Sequence, residues 1–329
     1  MTTKKRDFAI DLIKFLAVLL IINSHMDKCY PSFRILATGG AIGDALFLFC
    51  SGFTLFWGKM QSFDNFFKRR INRIYPSVFA SVIVKLAIGF YCIEELTATK
   101  ILGGEFVIAI MLYYAIFWFI RSFAPNKIPT AMVLLAVMVL ICYYFYPFKY
   151  ETGVNGLYGT SSLFRWLPYT GIFLMGAYIG KKVSLEGYTI KAKKIDLLYL
   201  LLCLVTFYGI QFVAKAYQPY APYQIATIPF LYCIVFLIYK ICKSEHVAQF
   251  CKKPVVNNII MIVGGLCLES YLIQFAILTN ALNFLFPLNL VIMVLLVLVA
   301  AYIVRCIARI FSQTFRTEDY EWNKVFSLK

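Results

Sequence analysis

An imidazole placed eleven residues after an ammonium group, within an apolar run, is where this sequence first concentrates chemistry. The run is DFAIDLIKFLAVLLIINSHMD, from Asp7 to Asp27, and it carries Asp7, Asp11, Lys14 and His25. At about 100° per residue, the step from Lys14 to His25 returns to the same helix face. The two groups then lie about 16 Å apart along one stripe, at a rise of about 1.5 Å per residue. Asp7 with Asp11, and Asp11 with Lys14, continue that stripe at helical spacing. A charge facing lipid is costly, so the stripe faces protein or a water-filled cavity. Two accounts stand on spacing alone. In one, Lys14 pairs with Asp11 for structure and His25 sits at the headgroups; in the other, the stripe lines a site.

Three further groups have chemistry to offer. Asp44 opens the next apolar stretch, at a depth similar to His25 if the two stretches run in opposite directions. A carboxylate beside an imidazole fixes its tautomer and makes it a better proton acceptor; the same carboxylate also suits a helix N-terminus. In FDNFFKRRINRIYP, residues 63–76, Arg69, Arg70 and Arg73 recur at helical spacing. Their forked donors match phosphate oxygens, and the same cluster also serves as a lipid-headgroup contact and topology signal. Glu269 is an acid well inside a late apolar stretch, which reads either as pocket lining or as a structural partner for Lys85 or Lys14.

The elements that must position these groups are membrane helices. The chain has 329 residues, 61% of them hydrophobic and 18% aromatic, against about 45–50% apolar in soluble domains. Runs able to span lie near residues 8–26, 41–58, 76–93, 102–120, 129–146, 164–180, 195–214, 225–241, 257–281 and 288–310. The expected fold is therefore all-α, a polytopic bundle of about ten spanning helices. The first run lacks a small-x-small cleavage site and is followed directly by more spans, so it reads as a helix rather than a cleaved signal. With ten spans, most Lys and Arg fall on the side of the termini, from Lys4, Lys5 and Arg6 through Lys59 and the Arg69 cluster to Lys329. The opposite side keeps Lys28, Arg34, Lys100, Lys149, Arg165 and Lys215. This bias places both termini in the cytoplasm and accounts for most of the net charge of +16 without nucleic acid as a partner. Most of the ten cysteines fall in apolar runs, no C-x-x-C pair occurs, and His25 and His246 are far apart, so no metal is expected.

In order and spacing, DLIKFLAVLLIINSH, GDALFLFCSGFTLF and FFKRRINRIYP resemble the acyltransferase-3 family of ten-helix integral membrane O-acyltransferases. The family's basic residue, ten-residue gap and His fall on Lys14 and His25; many members have Arg at the first position. Its Gly-x-Asp-x-Phe-Phe stretch ending in Ser-Gly-Phe falls on Asp44, Phe47 and Ser51-Gly52-Phe53. Its R-R-x-x-R-x-x-P pattern falls on Arg69, Arg70, Arg73 and Pro76. AIFWFI around Trp118, FLMGAYIGKK at 173–182 and LESYLIQ at 268–274 resemble later family segments. Where many members carry a second His in the late helix, this chain has Gln274, which leaves His25 as the candidate catalytic imidazole.

The resemblance implies transfer of an acetyl or similar acyl group from cytosolic acyl-CoA to a hydroxyl of a carbohydrate or glycolipid acceptor, such as a cell-surface glycan or its precursor. Acetyl-CoA is the expected donor substrate and membrane lipids the surroundings, in a bacterial inner membrane crossed many times. His25 and Asp44 are then the expected catalytic pair. Arg69, Arg70 and Arg73 hold the donor phosphates, and Lys14 pairs with Asp11 or lines the donor path. Asp11, Glu269, Ser51 and Trp118 are the pocket candidates, Trp118 being equally suited to packing. Residues 1–311 form the acyltransferase domain and 312–329 a short cytoplasmic tail. A transporter or flippase of a sugar or lipid-linked substrate is the competing reading, in which the polar stripe is a proton or substrate path. The chain shows no internal repeat of the kind many transporters have.

Overall fold

A computed structural model describes residues 7–57, 60–145, 157 and 163–328. Lys4, Lys5, Arg6, Lys59, Lys149 and Lys329, which entered the charge bias, lie outside the described residues. Among the described residues every regular element is helical. The α-helices are α1 (Phe8–Ser24), α2 (Gly40–Phe53), α3 (Phe63–Ala87), α4 (Ala98–Ile101), α5 (Gly104–Phe123), α6 (Ile128–Phe145) and α7 (Trp166–Ser184). They continue with α8 (Ile195–Ala216), α9 (Thr227–Cys242), α10 (Glu245–Cys251), α11 (Pro254–Gly265), α12 (Cys267–Ile277), α13 (Leu288–Thr314) and α14 (Trp322–Val325).

Among the described residues, six helical stretches are long and apolar enough to cross a membrane: Arg34–Phe56, Gly104–Phe123, Ile128–Phe145, Ile195–Ala216, Pro219–Cys242 and Leu288–Thr314. The bent pair α11 and α12 makes seven if counted as one span. Two expected spans need correction. The third, expected over 76–93, belongs to a longer helix that starts at Phe63 and ends at Ala87, so Pro76 lies inside α3 and the arginines ride on the same rod as the apolar residues that follow. The ninth, expected as one helix over 257–281, is two helices bent by 70° at Leu266. Paired glycines are a usual cause of a sharp bend, and here Gly264-Gly265 ends α11. The Arg305 guanidinium donates to the Gly265 carbonyl, taking it out of the helical ladder.

The chain forms two compact units. The first is drawn from Met1–Ile13, Asp44–Met60 and Phe119–Lys253, and the second from Lys14–Gly43, Gln61–Trp118 and Pro254–Lys329. In the first, α2 and α7 touch through glycine. A Cβ on Gly52 would overlap the Phe173 carbonyl, and Cβ atoms on Gly176 and Gly180 would overlap the carbonyls of Phe49 and Phe53. Small residues let backbones approach this closely in membrane bundles, where dispersion replaces the hydrophobic effect. The rings of Phe49 and Phe53 pack on fully buried Tyr239 of α9, with centroids 5.3 and 5.5 Å away. Two ion pairs tie helix ends together: Lys240 to Asp196 at 2.8 Å and Lys243 to Asp7 at 3.1 Å.

In the second unit, α3, α12 and α13 bury a cluster rich in small side chains: Ala80, Leu266, Ile273, Ala300, Ala301, Val304 and Ala308. The later part of α1 lies close to the chain that enters α2, since Cβ atoms at Gly39, Gly40 and Gly43 would strike Leu20, Ser24 and Ile21. Gly39 also has φ of +103°, a conformation that L side chains rarely adopt.

Candidate functional site

His25 stands in the turn directly after α1, where its amide donates to the Ile22 carbonyl at 3.1 Å. The imidazole is half-buried and lies against Phe275 of α12, with centroids 4.4 Å apart and planes tilted by 57°. Among the described residues no side-chain hydrogen bond is made to it. Its position is set by the loop on either side. Asn23, two residues before, donates to the carbonyls of Leu36 (2.7 Å) and Thr38 (2.9 Å) and accepts from the Tyr30 hydroxyl (2.8 Å). After His25, Asn289 of α13 donates to the Cys29 carbonyl at 2.7 Å and Asn283 donates to the Lys28 carbonyl at 2.9 Å. Three carboxamides thus satisfy the backbone of an irregular segment that buries Met26, Cys29 and Tyr30. Lys14, lower on α1, is half-buried and its ammonium has no hydrogen-bonding or ion-pairing partner among the described residues.

The three arginines of α3 do not share one face. Arg69 and Arg73 are exposed, as a donor-binding patch requires. Arg70 turns inward, its guanidinium 5.2 Å from the Phe66 ring centroid and 5.4 Å from that of Tyr114. Burial lowers the Arg70 pKa from its ordinary value, with Tyr114 opposing; a guanidinium keeps its charge regardless. Trp118 packs rather than lining an open surface alone. Its indole N–H donates to the Gln61 carbonyl at 3.0 Å and its ring meets the edge of Phe63 at 5.1 Å, which fixes the chain entering α3.

Glu269 of α12 is buried and fully engaged. One oxygen accepts from Ser77 of α3 at 2.9 Å, and the other from Arg305 of α13 at 3.1 Å. Its cationic partner is therefore Arg305, not the expected Lys85 or Lys14. Lys85 lies instead over the Tyr91 ring, 5.1 Å from its centroid.

In the first unit, Asp44 is half-buried near the start of α2, and the cation acting on it is Arg165, just before α7. Asp11 is buried on α1. Asp7 leaves the expected stripe, because Lys243 and the Tyr239 hydroxyl (3.5 Å) take its carboxylate. Ser51 is half-buried beside Gly52, and its carbonyl accepts from the Thr54 hydroxyl at 3.2 Å. Asp44 thus belongs to the first unit and His25 to the second, and each is placed by partners of its own unit.

Arg305, Arg165, Asn23 and Asn289 were not marked by sequence reasoning. Arg305 did carry a signal, since it interrupts the apolar run of α13. Reading it only as a topology residue hid its role in bending the α11–α12 pair and neutralising Glu269. The asparagines carried none, because a carboxamide that ties loop backbones together looks like any polar loop residue.

The family model described as an acyltransferase domain, that of the acyltransferase-3 family, matches residues 7–309. No curated protein and no solved structure matches the chain. The family match spans nearly the whole sequence, and several helices are apolar enough to cross a bilayer. The chain therefore belongs to the acyltransferase-3 family and is a multi-pass membrane acyltransferase.

Proposed function

We propose that this protein moves an acetyl or similar acyl group from cytosolic acyl-CoA to a hydroxyl of a carbohydrate acceptor, a cell-surface glycan or its precursor, with His25 as general base. In this reading ten helices cross a bacterial inner membrane, both termini are cytoplasmic, residues 1–311 form the catalytic domain and 312–329 a tail. The observation that carries it is the state of His25: an imidazole held by a built loop, half-buried, with neither ring nitrogen committed to a side-chain hydrogen bond among the described residues.

The phosphates of acetyl-CoA rest on Arg69 and Arg73 at the cytoplasmic mouth, with Arg70 behind them as fixed positive charge. Lys14 lines the path of the carrier arm, and Asp11 and Ser51 are pocket residues. At the far end the acceptor hydroxyl oxygen attacks the thioester carbonyl carbon while His25 takes its proton. The C–S bond then breaks, the coenzyme leaves as thiolate and collects that proton, and the acceptor keeps the new ester. A neutral imidazole suits this exchange as a general base. Asp44 is the carboxylate of the proposed catalytic pair. Glu269, neutralised by Arg305, shapes the wall of the path, and Trp118 secures the α3 entrance.

Mass spectrometry of surface glycans from cells with and without the gene identifies the acceptor. In the same cells His25→Ala is expected to cut acyl transfer by about 10²–10⁴-fold, the usual worth of a general base, with membrane insertion unchanged. Arg69→Ala/Arg73→Ala is expected to weaken acetyl-CoA binding and flatten its salt dependence. Full transfer by the His25 variant removes His25 from the mechanism.

A further inference from the structure

Two polar side chains of α12 stand out from the satisfied network around them. Gln274 is fully buried, and among the described residues both its amide nitrogen and its amide oxygen lack a hydrogen-bond partner; Ser270, one turn earlier, is 1% exposed and its hydroxyl is likewise unpartnered. The neighbouring polar group, Glu269, is paired on both oxygens. Leaving a buried carboxamide unpaired costs about 1–3 kcal/mol per group, and membrane interiors offer no water to make up the loss. Such a residue is retained where an incoming group completes it.

The chemistry of that group follows from which atoms are open. The Gln274 amide presents a donor and an acceptor side by side, so its complement also donates and accepts side by side. A trans secondary amide points its carbonyl and N–H in opposite directions, so two consecutive amides do this between them: the carbonyl of one takes the Nε2 hydrogen while the N–H of the other, nearer the thioester, donates to Oε1. A thioester carbonyl only accepts, and would leave Oε1 orphaned. The carrier arm of coenzyme A is a slender chain with two secondary amides joined by a two-carbon link. Ser270 and Gln274 lie on one helix face about 6 Å apart in rise, and the next residue, Phe275, bears on the His25 ring.

We propose that Ser270 and Gln274 form a buried amide-recognition subsite that takes the two secondary amides of the donor's carrier arm, positioning the thioester toward His25. The subsite rests on the reading of the donor as acyl-CoA. Gln274 is a positioning residue: it binds the arm and transfers no proton.

The test is equilibrium binding to the purified full chain in lipid nanodiscs. The probes are acetyl-CoA and an isostere in which the amide nearer the thioester is an ester, with oxygen in place of N–H. Wild type is expected to bind the isostere about tenfold more weakly, the ordinary worth of one hydrogen bond made to a buried group. Gln274→Leu is expected to bind acetyl-CoA about tenfold more weakly and to lose the discrimination between the two probes. Gln274→Met, which keeps side-chain length, is expected to behave the same way and to fold as wild type, since no group among the described residues pairs with the amide. Ser270→Ala is expected to weaken both probes by a smaller factor. If either Gln274 variant keeps the tenfold discrimination, the amide serves an ordered water or packing alone and the subsite is wrong. If wild type binds acetyl-CoA without discriminating, the subsite again falls while the donor assignment stands. If wild type binds no acetyl-CoA, the donor assignment itself fails and takes the subsite with it.

Discussion

Glu269 shows how a single intramembrane acid is reconciled with its surroundings. Desolvating an ion pair costs several kcal/mol, and the pair persists when further hydrogen bonds complete it. Here Ser77 takes one oxygen and Arg305 the other. Removing one partner strands a buried charge, at a cost of about 3–5 kcal/mol. Arg305→Met is therefore expected to lower the unfolding temperature of the detergent-solubilised protein by several degrees. The double change Arg305→Met/Glu269→Leu is expected to recover much of that loss, because both charges are then gone. A double variant no more stable than the single one removes the pair from the account. The sequence made Glu269 visible as an acid in the wrong solvent but not its partner, since Arg305 lies 36 residues further along.

At the level of helices, the glycines of α2 and α7 decide how the first unit is built. Gly52, Gly176 and Gly180 each face a carbonyl of the opposite helix with no room for a Cβ. Gly176→Val adds three carbons to that seam, and overpacking of this kind costs about 1–3 kcal/mol or more. It is expected to abolish monodisperse elution in detergent. Gly209→Ala is the matched control: Gly209 sits on exposed α8 with nothing within 4 Å of an added Cβ. That change is expected to be neutral or stabilising by about 0.5–1 kcal/mol, as Ala replaces Gly within a helix. The resemblance marked Ser51-Gly52-Phe53 and the FLMGAYIGKK segment separately. Their meeting explains why both carry glycine, and no local pattern states it. The break in α11–α12 was missed for a related reason, since the hydropathy of 257–281 is continuous while the bend falls just after Gly265, whose carbonyl accepts from the distant Arg305.

For the whole molecule, the testable consequence of charge bias is orientation. Short loops rich in Lys and Arg stay in the cytoplasm, and Lys181, Lys182, Lys193, Lys240 and Lys243 all lie at or just beyond helix ends. A fluorescent-protein fusion at the C-terminus is expected to mature and an alkaline phosphatase fusion there to stay inactive, while phosphatase inserted after Lys215 is expected to be active. An active C-terminal phosphatase would overturn both the orientation and the assignment of the arginines to a cytosolic donor.

What the sequence determined by itself was the solvent and the family. Apolar runs of bilayer length and the ordered motifs on α1, α2 and α3 are local properties, readable within a few turns of helix. Only the tertiary structure decided which partner each polar group takes: Arg165 for Asp44, Lys243 for Asp7, the Phe66 and Tyr114 rings for Arg70, and none among the described residues for Gln274. The physical reason is separation along the chain, 236 residues between Asp7 and Lys243. In a low-dielectric interior a charge is settled by whichever group packing brings within about 3 Å, and packing is a property of the assembled helices.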